Sequence, residues 1–443
     1  MVVEICSVSG YSDFGKNMTA VKVGNEVILL DMGLHIENYI NYTEDEDFVK
    51  VKADELIEEN AAPNISFIDD WKELVKGIII SHVHLDHVGA VPYLAGRFDA
   101  PVICTPFTSE VIKNILQSEK IKMPNKVEVV QVNGKKDIGK IKVELLNMTH
   151  STPETTAIVL HTPDGPIVYM TDFKLDATPT LGKKSNLKRL EELGKQGVLA
   201  LIIDSTNAQD EGKTPSESVA KEMLRDVMAS IRGKNNGIIA TTFSSHLARL
   251  KSILEEGIKM NRKVMFLGRS MSRYINAGES CGIIKFTDKA KVFRYASQIE
   301  NALKKVAREG KEKYLLVVSG HQAEPESTLS KIVGGSLKYK LDPRDYVIFS
   351  CRVIPAPTNR ANREHMEKIL KKQGVHVFKD IHQSGHGASE DIMEIIDIVK
   401  PKHIIPAHGK LSMRAALAEI ARERGYDSAN VHLVSDGERL EIE

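Results

Sequence analysis

The stretch Ser81-His82-Val83-His84-Leu85-Asp86-His87-Val88-Gly89 constrains this chain most, because it packs three imidazoles and a carboxylate into six residues. It follows the apolar run Ile78-Ile79-Ile80, which reads as a buried strand, and it precedes a helix-like segment from Ala90 to Phe98. The cluster therefore falls on a strand-to-helix loop. Alternate side chains of an extended stretch share a face, so the spacing predicts that His82 and His84 grip one cation together. Asp86 and His87, one step further into the turn, are predicted to face a second. Imidazole nitrogen combined with carboxylate oxygen suits Zn²⁺, with Mn²⁺ as the alternative.

Length and charge limit what surrounds this loop. A chain of 443 residues exceeds one ordinary core, so two or three domains are expected. Lys plus Arg equals Asp plus Glu, 60 each, so a polyanionic partner would need a local basic surface rather than an overall field. The Lys-rich stretches near 183–189 and 304–313 read as solvated faces. The four cysteines are scattered without a Cys-x-x-Cys and read as reduced, mostly buried thiols. Met1-Val2-Val3-Glu4 does not open a signal peptide, and no apolar run reaches the roughly 18 residues of a membrane span. A soluble cytoplasmic protein without membrane contact is expected.

Further ligand-capable residues recur where predicted strands end. Val27 to Leu30 runs into Asp31, Ile141 to Met148 into His150, Ile167 to Met170 into Asp172, and Val198 to Ile203 into Asp204. His386 and His408 close two later segments in the same way. Gly10 to Asn17 approaches a phosphate-binding loop, but Asn17 stands where Ser or Thr would hold Mg²⁺ and a β-branched strand follows, so nucleotide binding is not expected there. After a polar linker at 208–213, Thr214-Pro215-Ser216-Glu217 reads as a capping box opening a helix to about Arg232. Strands and helices then alternate to Phe349, which implies a mostly parallel sheet covered by helices, a second domain inserted into the first.

Taken together, these residues resemble the metallo-β-lactamase fold. His82-x-His84-x-Asp86-His87, His150, Asp172 and His408 match its binuclear site in order and setting. Asp204-Ser-Thr-Asn, His386 in Ser-Gly-His-Gly and His408 in Pro-Ala-His-Gly resemble the further motifs of its β-CASP nuclease branch. Within that branch the chain looks most like the archaeal kind of RNase J. The supporting stretches are Phe14-Gly-Lys-Asn17, Thr242-Phe-Ser-Ser-His246, Gly268-Arg-Ser-Met271 and Gln322-Ala-Glu-Pro325, and the resemblance runs over nearly the whole length. Leu85 stands where bacterial members tend to carry Glu, which is not a ligand position. The additional C-terminal domain of bacterial members is not seen, so dimerisation through it does not carry over.

The resemblance implies an α/β fold, an αββα sandwich over residues 1–207 and 351–443 interrupted by a parallel-sheet β-CASP insert over 208–350. It implies two divalent ions per chain, one on His82, His84 and His150, the other on Asp86, His87 and His408, with Asp172 bridging and Asp31 supporting from behind. Such a pair, roughly 3.5–4 Å apart, lowers the pKa of a bridging water so that hydroxide attacks phosphorus in line. His386, oriented by Asp204, would donate a proton to the leaving oxygen or the phosphate, and Asp86 shares in the catalytic set. Ser244, Ser245 and His246, with His382, Gln383, Ser384, Gly385 and His386, would hold a nucleotide phosphate. The implied activity is 5′→3′ exonucleolytic hydrolysis of single-stranded RNA bearing a 5′ monophosphate, in RNA processing and decay. A homodimer and contacts with other RNA-processing factors are further expectations. The alternatives are an endoribonuclease of the cleavage-and-polyadenylation type and, further off, a small-molecule metallo-hydrolase, which would leave the insert and the Asp204 and His386 motifs unexplained.

Overall fold

The computed structural model describes residues 2–44 and 51–443. The chain divides into two compact units, one of residues 1–177, 183–214 and 385–443, the other of residues 178–182 and 215–384.

The first unit holds two mixed sheets. One begins with β1 (Val3–Ser9), β2 (Met18–Val23), β3 (Glu26–Leu30), β4 (Val75–Ile79), β5 (Val102–Cys104) and β6 (Val127–Val129). The other begins with β7 (Lys135–Ile138), β8 (Ile141–Asn147), β9 (Thr156–Thr162), β10 (Gly165–Met170) and β11 (Ala200–Asp204). The second unit contributes β12 (Ile238–Thr241), β13 (Lys263–Leu267), β14 (Ala290–Phe293), β15 (Tyr314–Val318), β16 (Tyr346–Phe349) and β17 (His376–Phe378). The chain then returns to the first unit with β18 (His403–Ala407) beside β11 and β19 (Arg439–Ile442) beside β1.

Alternation explains why the strands of the first unit read as unbroken apolar runs. In β9, Ile158 and Leu160 join the core between the two sheets, while Ala157 and Val159 face the outer layer. Likewise Ile167 and Tyr169 of β10 point inward, and Val168 and Met170 outward. The outward set is covered by helices Leu187–Gln196, Ser389–Val399 and Leu411–Glu423. On the other sheet, the 3₁₀ segment Ile65–Leu74 lies against β1 and β3 and buries Trp71. Helix, sheet, sheet and helix are thus stacked, and apolar residues are needed on both faces of each strand.

The second unit is an all-parallel sheet in the order β14-β13-β15-β12-β16-β17. Its core joins Met265, Leu316 and Val347 to Leu303 of helix Ala296–Glu309 and to Met366 and Leu370 of helix Pro357–Lys372. Residues 351–384, assigned from sequence to the sandwich, therefore pack with the insert, because β17 extends its sheet and Pro357–Lys372 covers it. The capping assignment also moves. Helix Glu217–Ser230 starts from Ser216, whose Oγ accepts from the Ser218 amide at 3.1 Å. Thr214 is committed elsewhere, its Oγ1 donating to the His386 carbonyl at 2.7 Å.

Cys6, Cys104 and Cys351 are buried free thiols, and burial pushes Cys6 and Cys351 up to about 11. Among the described residues, no helix is long and apolar enough to cross a membrane.

Candidate metal centre

The first unit gathers strand ends at one edge. β10, β11 and β18 are parallel neighbours, and so are β3 and β4. The loops after β3, β4, β8, β10 and β18 carry Asp31, the His82–His87 cluster, His150, Asp172 and His408, and β11 ends on Asp204. A buried sheet core thereby fixes side chains that lie far apart in sequence.

The metal loop differs from its expected form in one respect. β4 stops at Ile79, and a one-turn helix, Leu85–Val88, lies inside the motif. His82 and His84 therefore do not share a side through a strand's pleat. They converge because the loop aims both at one oxygen of Asp172. Oδ2 of Asp172 lies 3.4 Å from His82 Nε2, 3.8 Å from His84 Nδ1 and 3.2 Å from His150 Nε2. Its other oxygen, Oδ1, lies 3.1 Å from His87 Nε2 and 3.5 Å from His408 Nε2. Asp86 Oδ2 stands 3.4 Å from His87 Nε2 and 3.8 Å from His408 Nε2. One carboxylate thus faces two ligand groups, one oxygen to each.

The far sides of the rings decide which nitrogen is left open. His150 Nδ1 donates to the Gly385 carbonyl at 2.7 Å, and His87 Nδ1 donates to Asp31 Oδ2 at 2.7 Å. With those protons placed, both Nε2 atoms turn lone pairs toward Asp172. His150 Nε2 is also only 3.1 Å from His84 Nδ1. Asp31 is fully buried, accepts from Ser81 N, Ser81 Oγ and Tyr169 Oη at 2.7, 2.8 and 3.0 Å, and takes a left-handed backbone (φ +60°). His408 is left-handed too (φ +55°), the kind of local strain that packed sites sustain. Gly385 is required as glycine, since a Cβ there would lie 2.8 Å from the His150 ring.

The residues fit divalent cations. His82 Nε2 and Asp172 Oδ1 are buried without a hydrogen-bond partner, a state that costs about 1–3 kcal/mol per group in a folded protein. Lone pairs and carboxylate oxygens converging on two points suit a cation at each. The sets His82, His84, His150, Asp172 and Asp86, His87, His408 each bring their ligand atoms within 4.8 Å of one another.

His386 stands beside this cage, its Nε2 3.8 Å from Asp172 Oδ2, and its Nδ1 donates to Asp204 Oδ2 at 2.7 Å. The other Asp204 oxygen accepts from Thr206 N and Oγ1, which holds the carboxylate still. Burial opposes a charged ring, but Asp204 and Asp172 outweigh it and hold the His386 imidazole up at about 9. Burial, helped by the neighbouring His87, instead takes His82 down to about 4.

The residues expected to hold phosphate divide between the two units. Gly385 and His386 belong to the sandwich, and Ser244, Ser245, His246, His382, Gln383 and Ser384 to the insert. Within the insert, Ser244 Oγ is 2.9 Å from Ser270 Oγ, and the His382 Nδ1 is buried without a partner. The His246 ring caps helix Leu247–Lys259 by accepting from the Arg249 amide, and it faces Glu217 at 3.4 Å. Sequence reasoning did not find Ser81, Tyr169, the Gly385 carbonyl or Asn17, whose Oδ1 lies 2.9 Å from His408 Nδ1. Nothing in their residue types sets them apart until the strand ends are brought together.

Three family models match the chain in turn. These are the metallo-beta-lactamase superfamily over residues 12–200, the ribonuclease J beta-CASP domain over 235–369, and the Zn-dependent metallo-hydrolase RNA specificity domain over 375–434. A solved structure from Enterococcus faecalis V583, of a protein described as of unknown function, shares the fold with TM-score 0.66 over 100% of both chains at 16% identity. Fold and site define a metallo-hydrolase built on the metallo-β-lactamase sandwich with a β-CASP insert. Ribonuclease J of Methanocaldococcus jannaschii is 41% identical over 100% of this chain and 99% of its own length. That of Pyrococcus abyssi is 39% identical over 96% and 94%. The chain belongs to the ribonuclease J family.

Proposed function

We propose that this metal-dependent ribonuclease is a zinc-dependent 5′→3′ exonuclease that acts on single-stranded RNA and prefers a 5′ monophosphate. The observation that carries the hydrolytic part is Asp172, with one oxygen turned to each of two ligand groups. Two cations held there supply Lewis-acid activation of water and neutralise phosphate charge. The chain's own residues do the rest. Asp31 and Gly385 keep the His87 and His150 rings in the ligating tautomer. His386, protonated and steered by Asp204, is placed to give a proton to the departing 3′ oxygen or to hold a phosphate oxygen.

Direction rests on the insert's donors. Ser244, Ser245 and His382, whose Nδ1 has no hydrogen bond, offer hydroxyl and imidazole groups suited to a terminal phosphate. Digestion of 5′-labelled RNAs carrying a mono- or triphosphate, beside a circular RNA of the same sequence, tests the proposal. Mononucleotide release from the monophosphate species and an intact circle are expected. A cleaved circle would assign an endonuclease of the cleavage-and-polyadenylation kind instead. Higher specific activity of zinc-loaded than of manganese-loaded protein is expected, the reverse would assign manganese, and light scattering tests the expected homodimer.

A further inference from the structure

Gly10 to Asn17, the loop that imitates a phosphate-binding motif, has no part in the roles assigned so far except through its last residue. Asn17 is buried and touches every member of one ligand group. Its Oδ1 lies 2.9 Å from His408 Nδ1. Its Nδ2 donates to the Asp86 carbonyl at 2.9 Å and lies 3.1 Å from His87 Nε2. Its backbone amide donates to the same Asp86 carbonyl at 2.9 Å, and its own carbonyl accepts from Gly33 N at 3.1 Å.

These contacts fix how the amide must sit. The carbonyl of Asp86 can only accept, so the side of Asn17 that meets it is the NH₂ group, and the oxygen is left for His408. An acceptor at His408 Nδ1 requires the proton there. The Nε2 lone pair then points toward Asp86 and Asp172. His87 is set in the same way by the carboxylate of Asp31, whereas His408 is set by a neutral amide.

The loop is built around this side chain. A Cβ on Gly10 would lie 2.3 Å from Asn17 Oδ1, and the Gly10 carbonyl accepts from the His408 amide at 2.9 Å. Asp436 accepts from the amides of Tyr11 and Ser12 at 2.8 and 3.0 Å and pins the loop from outside. A Cβ on Gly33 would meet the Asp86 carbonyl at 1.6 Å, so the strand-end segment closes on Asn17 without slack.

We propose that Asn17 is a positioning residue for the second cation, holding His408 in its ligating tautomer through Oδ1 and fixing the Asp86 main chain beside it through Nδ2. This inference rests on the metal-binding reading above and adds a prediction about which cation suffers. Purified apo protein is titrated with Co²⁺ or Zn²⁺ and followed by calorimetry and by Co²⁺ absorption. Wild type is expected to take two equivalents. Asn17→Ala is expected to keep the equivalent held by His82, His84 and His150 and to bind the other about 10–100-fold more weakly. Asn17→Asp keeps an acceptor at His408 and is expected to recover part of that loss. Proton NMR of loaded wild type should show a protected imidazole N–H from His408 that is missing in Asn17→Ala. Unchanged affinity for both equivalents, or an equal loss of both, overturns the proposal. If Asn17→Ala does not fold, Asn17→Asp decides, and loss of the His408 N–H signal there overturns it as well. Failure of wild type to bind any cation would instead remove the metal-binding reading.

Discussion

The two units handle buried charge in opposite ways. In the insert, Arg249 is completely buried and all three of its nitrogens are hydrogen-bonded. Its Nε and Nη2 meet the two oxygens of Glu217 at 2.6 Å each, and its Nη1 donates to the Ser350 and Ile381 carbonyls at 2.9 Å. Burial works against the Glu217 charge, but His246 and Arg249 hold its carboxyl far below the usual range. In the sandwich, Asp172 is equally buried, and the neighbouring imidazoles overcome burial to keep it charged. Yet its Oδ1, like His82 Nε2, lacks a hydrogen bond. One cluster closes on itself and supports a fold. The other keeps buried polar atoms without hydrogen bonds where ligand-capable groups converge.

Removing the centre of each cluster should therefore break different things. Asp172→Ala is expected to abolish uptake of the second equivalent of Zn²⁺ and to lower RNA hydrolysis by about 10⁴-fold or more. The apo protein should melt no lower than wild type, because an incompletely satisfied carboxylate has gone. A large drop in apo melting temperature would show that Asp172 is structural, and the contrast would fail.

His386 probes the edge of the open cluster. His386→Ala should retain both equivalents of metal, since six imidazole and carboxylate groups remain around Asp172, and should lose about 10²–10⁴-fold in turnover. Asp204→Asn is expected to give a smaller loss in the same direction, as the ring keeps its place but loses the charge that favours its protonation. Equal metal loss and activity loss in His386→Ala would move this residue into the ligand set.

The matching experiment on the closed cluster is Arg249→Met. It leaves Glu217 buried without its main partner, so destabilisation of about 3–5 kcal/mol in urea unfolding is expected. Metal stoichiometry of the folded fraction should stay at the wild-type value. Loss of cations without loss of stability would mean that Arg249 is not a structural charge, and the contrast would fail.

How far this contrast was readable beforehand depends on where the information lies. The candidate ligands are legible because each sits where an apolar run ends, and a buried strand leaves few places for a histidine except its end. The alternation of strands and helices expected up to Phe349 is present in β12 to β16, since periodicity and flanking turns agree there. The boundary at 350 failed for a tertiary reason. β17 is only three residues long, and nothing in His376–Phe378 says which sheet will take it. Helix Arg269–Ser280 was not predicted because it starts on Gly268 with no capping side chain. Asn17 lies in a stretch that imitates a nucleotide motif, and its partners at 86, 87 and 408 are distant in sequence. Spacing alone cannot convey a contact of that kind.

A paired charge inside the sandwich itself separates the site from the unit that carries it. Glu144 on β8 receives Arg189 Nε at 2.9 Å and Nη2 at 3.1 Å, with His161 Nε2 at 3.2 Å. Burial opposes the charge, but His161 and Arg189 prevail and hold the Glu144 carboxyl down at about 2, against an ordinary 4.5. A carboxyl depressed in the folded state contributes its stability in full above the unfolded value and loses it as pH falls toward the folded one. Glu144→Gln should thus cost about 1–2 kcal/mol at neutral pH. The gap between variant and wild type should narrow as pH falls from about 4.5, which urea unfolding at several pH values would show. Metal uptake and hydrolysis should not change. If this pair proved as neutral to stability as Asp172, the open and closed clusters would no longer differ in kind, and the unsatisfied atoms at the strand ends would lose their meaning as a ligand signature.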